Sequence, residues 1–485
     1  MKINIDLKHE LFQWGPIDAK LIYPDYFSWS FVNYAKKFIS WSDLVGIFSQ
    51  GKVVYFGDNP NLRERGRKNF YRYILPNEQF KKYYQEWQKY LKHLIKLQHS
   101  ITPKYLQALD NHNLNQLYQK WVRAYLNFWT VGLLPELSNW GTEEILSERL
   151  RLIVPQQYFS KVFEKLSAPL SLSFYQRSDL ELLALRKYFK NKKEFDKKLF
   201  KFQQNHFWQL NSYGHSRVLP VAYFKQEFLK YSSSSAAQKV RGLKLYSQRV
   251  KLVKKKIIKQ YQLDGQTAKI ADRLSFCVWW QDLRKFYIFW ANHCIDVFLK
   301  EFSKRYKVSF LDLHFYNAEE LSKLSVQGLK INSQIIWARK KLVVCHYAEK
   351  NNKLDYIIGA RAKTIKKKFT NSKEKPNNLQ EINGLTVSLG KTIRGKVKII
   401  TSPKNIGKMQ PGDILVASMT SPDYIVAMKK ALAIITDAGG MTAHAAIVSR
   451  ELKIPCIVNT KIATKVLRDG DLVEVDSKHG VIKKL

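Results

Sequence analysis

The stretch ITDAGGMTAHAAIVSRELKIPCIV, Ile435 to Val458, decides how this chain is read. The apolar run Ala433 to Thr436 predicts a strand, and Asp437, Ala438, Gly439 and Gly440 predict a turn after it. Thr442 is the expected N-cap of a helix that stops before Pro455, which makes His444 its second residue. A histidine there sits beside backbone N–H groups without intrahelical partners, at the positive end of the helix dipole. That position disfavours imidazolium, keeps the ring a neutral nucleophile near pH 7, and stabilises an anion attached to it. The arrangement suits a phosphohistidine. Gly439 and Gly440 permit close backbone approach, while Ala443, Ala445 and Ala446 clear space for a bulky donor. The plainer alternative is a half-buried histidine satisfied by a backbone hydrogen bond.

Around this segment lie short β-branched runs separated by turn residues. Strands are expected at Lys396 to Thr401, Ile414 to Ala417, Cys456 to Asn459, Leu472 to Val475 and Val481 to Lys483. Ser421, Pro422 and Asp423 open a helix expected to run to about Lys430. Upstream the texture changes. From Gly384 onward there are 9 of the 21 glycines and a single aromatic residue, Tyr424, so the other 64 aromatics belong to the front. Apolar residues there recur at helical spacing through Phe80 to Leu97, Leu114 to Leu134, Leu180 to Leu210, Leu243 to Tyr261 and Ile270 to Tyr306. The lysine-rich KTIKKKFTNSKEKPNNLQ, Lys363 to Gln380, reads as an exposed linker. The expected fold class is therefore multidomain α and α/β: a mostly helical region over 1–370, a linker over 371–383, and an α/β domain over 384–485.

The chain of 485 residues carries 82 Lys and Arg against 40 Asp and Glu, a net +42. Such a field attracts polyanions without naming one. Lysine runs such as Lys254 to Lys256 are expected to be solvated helix faces. With hydrophobic residues at 45%, a disordered chain is excluded. The four cysteines have no two-residue spacing, which argues against a disulfide framework or zinc knuckle and fits a reducing cytoplasm. Asp6, Lys8, His9 and Glu10 interrupt any signal-peptide core, and no run reaches the roughly 20 apolar residues of a membrane span. No acidic cluster has metal-ligand spacing. Trp279, Trp280, Tyr287, Phe289 and Trp290 read as core more readily than as a pocket, and Trp14 to Pro16 and Tyr23 to Phe27 as turns.

Gly439, Gly440, Met441, Thr442, Ala443, His444, Ala445, Ala446, Ile447, Val448, Ser449 and Arg450 match, position by position, the signature of the phosphoenolpyruvate-utilising enzymes. The segment SMTSPD, Ser418 to Asp423, is similar to that family's Thr-x-Pro-Asp turn. The resemblance spans about 100 residues and implies a C-terminal β/β/α swivelling phosphohistidine domain, in which His444 accepts a phosphoryl group and passes it on. It implies that Thr442 orients the ring or phosphate; Arg450 serves either phosphate contact or a structural ion pair. The order of regions resembles rifampin phosphotransferase, or phosphoenolpyruvate synthase, without the ATP-grasp domain. Tyr213, Gly214, His215 and Arg217 are similar to a Tyr-Gly-His-Arg element of the former's helical substrate domain, placing His215 and Arg217 as a possible acceptor site. The expectation is a phosphotransferase component whose ATP and Mg²⁺ sit on a separate ATP-grasp partner, with no cofactor or metal on this chain. The alternative is a polyanion- or nucleic-acid-binding protein with a regulatory phosphohistidine-like domain; a nucleic-acid partner is compatible with the charge but not favoured, since no known nucleic-acid module is visible.

Overall fold

Aromatic and aliphatic residues of the front half enclose one long axis, and the computed structural model describes residues 3–370, 380–441 and 443–485. That axis is a 42-residue helix. The helices used below are α1 (Ile22–Ala35), α2 (Asn59–Asn69), α3 (Asn77–Ser100), α4 (Asn111–Gly132), α5 (Leu134–Arg151), α6 (Phe174–Ala184), α7 (Ser233–Lys244), α8 (Tyr246–Gln260), α9 (Gly265–Tyr306) and α10 (His444–Leu452). Helix α9 is capped by Asp264, whose carboxylate accepts from the Thr267 N–H, and the buried rings of Trp87, Trp121 and Trp129 pack against its Trp280, Phe298 and Arg284. Phe289 and Trp290 are buried in the same core, so this aromatic run is packing, as its helical spacing suggests.

The front half is mostly helical, and β1 (Leu11–Asp18), β2 (Leu44–Ser49), β3 (Lys52–Asp58), β4 (Leu342–Ala348) and β5 (Lys353–Ile357) add to it an antiparallel sheet ordered β1-β3-β2-β4-β5. Several local expectations there are corrected. Trp14 to Pro16 lie inside β1 at a register irregularity, and Tyr23 to Phe27 inside α1; neither is a turn. The turn is at Gln50 and Gly51, both at positive φ, which closes the β2–β3 hairpin. Leu180 to Leu210 is broken between α6 and the helix Lys192–His206. Lys254 is not solvated: it is buried, its Nζ donates to Ser275 Oγ at 2.9 Å, and burial pulls its ammonium down to about 8.

The tail contributes β6 (Glu381–Asn383), β7 (Leu385–Ser388), β8 (Ile393–Ile399), β9 (Ile414–Ala417), β10 (Ala433–Thr436), β11 (Cys456–Val458), β12 (Leu472–Asp476) and β13 (Val481–Lys484), in the order β6-β13-β12-β8-β9-β10-β11-β7. Strands β8 to β11 pair in parallel, and antiparallel strands flank them. The fold is thus multidomain α and α/β. Of the expected linker, residues 371–379 lie outside the described residues, 359–370 are helical, and 381–383 are β6, paired with β13. The expected helix from Ser421 to Lys430 is a 3₁₀ turn at Pro422–Tyr424 followed by the short helix Ile425–Met428.

The two halves share a face. Lys52 Nζ donates to the Thr401 carbonyl at 2.7 Å, Ser402 Oγ to Asp18 Oδ2 at 2.6 Å, and the Gly15 N–H to Met419 Sδ at 2.8 Å. Among the described residues, no helix is long and apolar enough to cross a membrane.

Candidate functional site

In an open parallel sheet the loops beyond the carboxyl ends of adjacent strands converge, and residues carried there share a site. Here β9 and β10 run side by side, so the loop after Ala417 brings Thr420 to the loop after Thr436, which leads into α10. Thr420 Oγ1 lies 2.8 Å from His444 Nδ1. The other ring nitrogen, Nε2, is screened from solvent and has no hydrogen-bond partner. When the hydroxyl accepts from Nδ1–H, the ring is in the tautomer that leaves the Nε2 lone pair free. Sequence reading did not assign Thr420 a role, although it occupies the Thr-x-Pro-Asp turn; the bond depends on strand adjacency, which spacing does not display. Nitrogen NMR of His444 should report the Nδ1–H tautomer, with Thr420→Val mixing the two forms and Thr420→Ser preserving one.

His444 lines a narrow cleft between the halves, with Ile447, Val448 and Glu451 on its side and Val278, Gln281, Asp282 and Lys285 on the other. Both sets follow helical spacing, so one face of α10 opposes one face of α9. Ser173 and Tyr175, at the start of α6, close an end, and the Phe174 N–H donates to Asp282 Oδ2 at 2.9 Å. Burial lowers His444 to about 3, and the positive charge of Lys285 adds to that. The ring is therefore neutral near pH 7, as its place at the helix start implies, with burial the larger of these two causes. Burial likewise raises Asp282 to about 6 and Glu451 to about 8.

The remaining sequence-derived residues divide. Helix α10 begins at His444 itself, and its N-cap position is Ala443, which makes no side-chain cap; Thr442 lies outside the described residues. Gly439 has φ +129°, a conformation that L side chains rarely adopt, and a Cβ there would also approach Ala443 Cβ to 3.1 Å. A Cβ on Gly440 would stand 3.2 Å from Glu143 Oε2, so this loop also rests on α5. Arg450 is not brought to the cleft: its Nε donates to the Val387 carbonyl of β7 at 2.7 Å. His215 lines the junction but not the cleft, with Nδ1 3.1 Å from Ser212 Oγ and 3.9 Å from Asp423 Oδ2, in the turn that carries Thr420. The Arg217 N–H donates to Asn211 Oδ1, and burial pushes the Asp423 carboxyl up to about 7. Cys456 is buried in β11, and its thiol is pushed up to about 12 by burial.

Residues 409–480 match the PEP-utilising enzyme mobile domain. Similarity to curated proteins extends beyond that core. A probable phosphoenolpyruvate synthase of Archaeoglobus fulgidus is 50% identical over 132 residues, covering 26% of this chain and 17% of that protein. The phosphoenolpyruvate synthase of Pyrococcus furiosus is 40% identical over 169 residues, 34% of this chain and 20% of that protein. That of Aeropyrum pernix is 52% identical over 102 residues, 21% and 12% respectively. The chain thus spans a fifth or less of the length of these relatives. A match over 34% of the chain cannot fit within residues 384–485, so likeness to the P. furiosus protein reaches upstream of the mobile domain and exceeds the roughly 100 residues that carry the sequence signature.

Proposed function

We propose that this protein is a phosphotransferase component in which His444 Nε2 carries a phosphoryl or pyrophosphoryl group from an ATP-grasp partner to an acceptor held by the helical half. One observation carries the reading: an imidazole bonded at Nδ1 to Thr420 and unpartnered at Nε2 lines a cleft walled by the other half of the chain. ATP and Mg²⁺ are assigned to the partner.

The lone pair of Nε2 attacks the γ- or β-phosphorus of ATP as the P–O bond to departing ADP or AMP breaks, and the ring, keeping its Nδ1 proton, is cationic; an acceptor oxygen then attacks the carried phosphorus, the P–N bond breaks with its electron pair returning to Nε2, and the acceptor's proton is lost to solvent. Lys285, on the facing wall, supplies positive charge where the transferring oxygens pass. Because Nε2 is screened in the docked arrangement, charging by a nucleotide requires the tail sheet and its helices, from β6 onward, to leave the cleft as a unit. Thr442 is proposed to steady the phosphate. His215 and Arg217 are proposed to act at the junction, through the Thr420 turn, and not as direct acceptor ligands.

The full chain, incubated with a purified ATP-grasp protein of its own organism and β- or γ-labelled ATP, should acquire acid-labile, alkali-stable label in the peptide containing His444. Label on any other residue refutes the reading.

The motion gives a pH expectation. Glu451 and Asp423, buried at the junction and held protonated up to about 8 and about 7, take up protons on docking. Asp282 and Asp179 reinforce the first and Asp18 the second, while Lys239 and Arg217 oppose them. Their folded values are raised, so docking strengthens as pH falls from about 8 towards 6 and weakens as it rises, by up to about tenfold per pH unit for each group. His444, lowered to about 3, works the other way only below its ordinary value near 6.5. Below about 6.5 the two carboxylates still outweigh the one imidazole, so hydrogen exchange of the α10 amides, corrected for intrinsic rates, should slow steadily from about pH 8 down to about pH 5, and Glu451→Gln should flatten that dependence.

A further inference from the structure

Helices α7 and α8 lie at the edge of the front half and bury little. Of residues 233–260 only Ala236, Lys254 and Ile257 are buried. Between Glu227 and Asp264 the sequence has no acidic residue, and seven cations on these helices are exposed: Arg241, Lys244, Arg249, Lys251, Lys255, Lys256 and Lys259. Among the described residues none of the seven is within ion-pair distance of a carboxylate, whereas the less exposed Lys239 and Lys254 are held by Asp179 and Asp272. A helix pair that buries so little and concentrates unneutralised charge contributes more to the surface field than to the core.

We propose that the α7–α8 segment is a sequence-independent docking surface for the phosphate backbone of nucleic acid. Three features select this occupant. Lys251, Lys255 and Lys259 form an i, i+4 row with a rise of about 6 Å per step, a cationic track along the helix. The apolar stripe of α8, with Val250, Ile257 and Ile258, faces the protein, and the outward face carries Leu252, 66% exposed, and Val253, 40% exposed, among lysines. A membrane-surface helix would turn its whole apolar stripe outward. An acidic protein partner would need a desolvated apolar centre, which two aliphatic side chains among lysines do not supply. A hydrated polyanion needs neither, since its affinity comes from counterion release. The site is independent of His444 and of phosphoryl transfer.

The test uses the full chain and a labelled oligouridylate, with polarisation read between about 50 and 200 mM salt. Engagement of all seven cations corresponds to a log–log salt slope of about −5, at about −0.7 per neutralised phosphate. Reversal at four positions (Lys251→Glu, Lys255→Glu, Lys256→Glu, Lys259→Glu) should weaken binding at least tenfold and make the slope shallower by about 3. The same four positions changed to Gln should shift both readouts in the same direction, which guards against misfolding of the reversed variant. The control reverses four exposed lysines of α3 (Lys81, Lys89, Lys92, Lys96), with identical change in net charge, and should lose less than threefold. Equal losses in the two sets would assign binding to the overall field and overturn the proposal. So would absence of binding at low salt, or a segment that binds vesicles containing anionic phosphatidylglycerol but not the oligonucleotide.

Discussion

Replacing His444 by glutamine should abolish incorporation of label from ATP, by at least about 10⁴-fold, while the protein stays folded. The magnitude follows from the role: removing the attacking atom itself, as opposed to a group that orients it, costs nearly the whole catalytic advantage of a covalent route. Glutamine is chosen because its amide can still meet Thr420 and occupies most of the ring's volume, so the cleft between α9 and α10 is neither emptied nor overfilled. The wild-type ring leaves Nε2 without a partner and is buried neutral, so little bonding is lost with it. The unfolding free energy should accordingly change by less than about 1.5 kcal/mol. Thr420→Val acts only through orientation, and its loss should be about 10 to 100-fold, the worth of one hydrogen bond to a charged ring. If His444→Gln retained label while Thr420→Val lost it, the nucleophile would have to be sought elsewhere on the Thr420 loop.

The site was legible to the extent that its chemistry is local. Twelve consecutive residues announce the histidine, its glycine turn and the small residues around it, because each occupies a backbone position with its own steric demand. Thr420 makes the bond that orients the ring, yet it is 24 residues away, and only the parallel pairing of β9 with β10 brings it close. The cleft was less legible still. Asp282 and Lys285 read as ordinary members of an amphipathic helix, and only the docking of α10 on α9 turns them into its wall. Lys254 was misjudged for the same reason: periodicity tells which residues share a helix face but not whether that face meets solvent or, as here, Ser275 of another helix. The front sheet escaped notice because β3 ends at Asp58 and β4 starts at Leu342, and pairing over that separation leaves no mark on either segment alone. The hairpin turn at Gln50–Gly51, flanked by LVGIFS and KVVYFGD, was the available local signal.

The same dependence on remote packing yields the largest stability effect. Helices α2 and α5 cross with their backbones touching, and the crossing is built from two glycines. A Cβ on Gly141 would stand 2.1 Å from the Arg67 nitrogen and 2.5 Å from the Gly66 carbonyl carbon; one on Gly66 would stand 2.4 Å from the Leu137 carbonyl oxygen. These neighbours are backbone atoms inside helices, so no side-chain rotation relieves the clash and the helices must separate. Separation opens voids along the whole contact, and Gly141→Ala should cost about 3 kcal/mol or more, above the usual range for adding one methyl to a core. Gly265→Ala is the matched control, because nothing lies within 4 Å of its Cβ position, and it should change stability by less than about 0.5 kcal/mol. Denaturant unfolding measures both, and equal stabilities would mean that α2 and α5 do not cross in contact. The effect should also reach the catalytic loop. Helix α5 carries Glu136, paired with Arg284 of α9, and Glu143, whose carboxylate lies beside Gly440. Shifting α5 therefore moves the support of the turn that presents His444, and labelling by ATP should fall further in Gly141→Ala than its folded fraction accounts for.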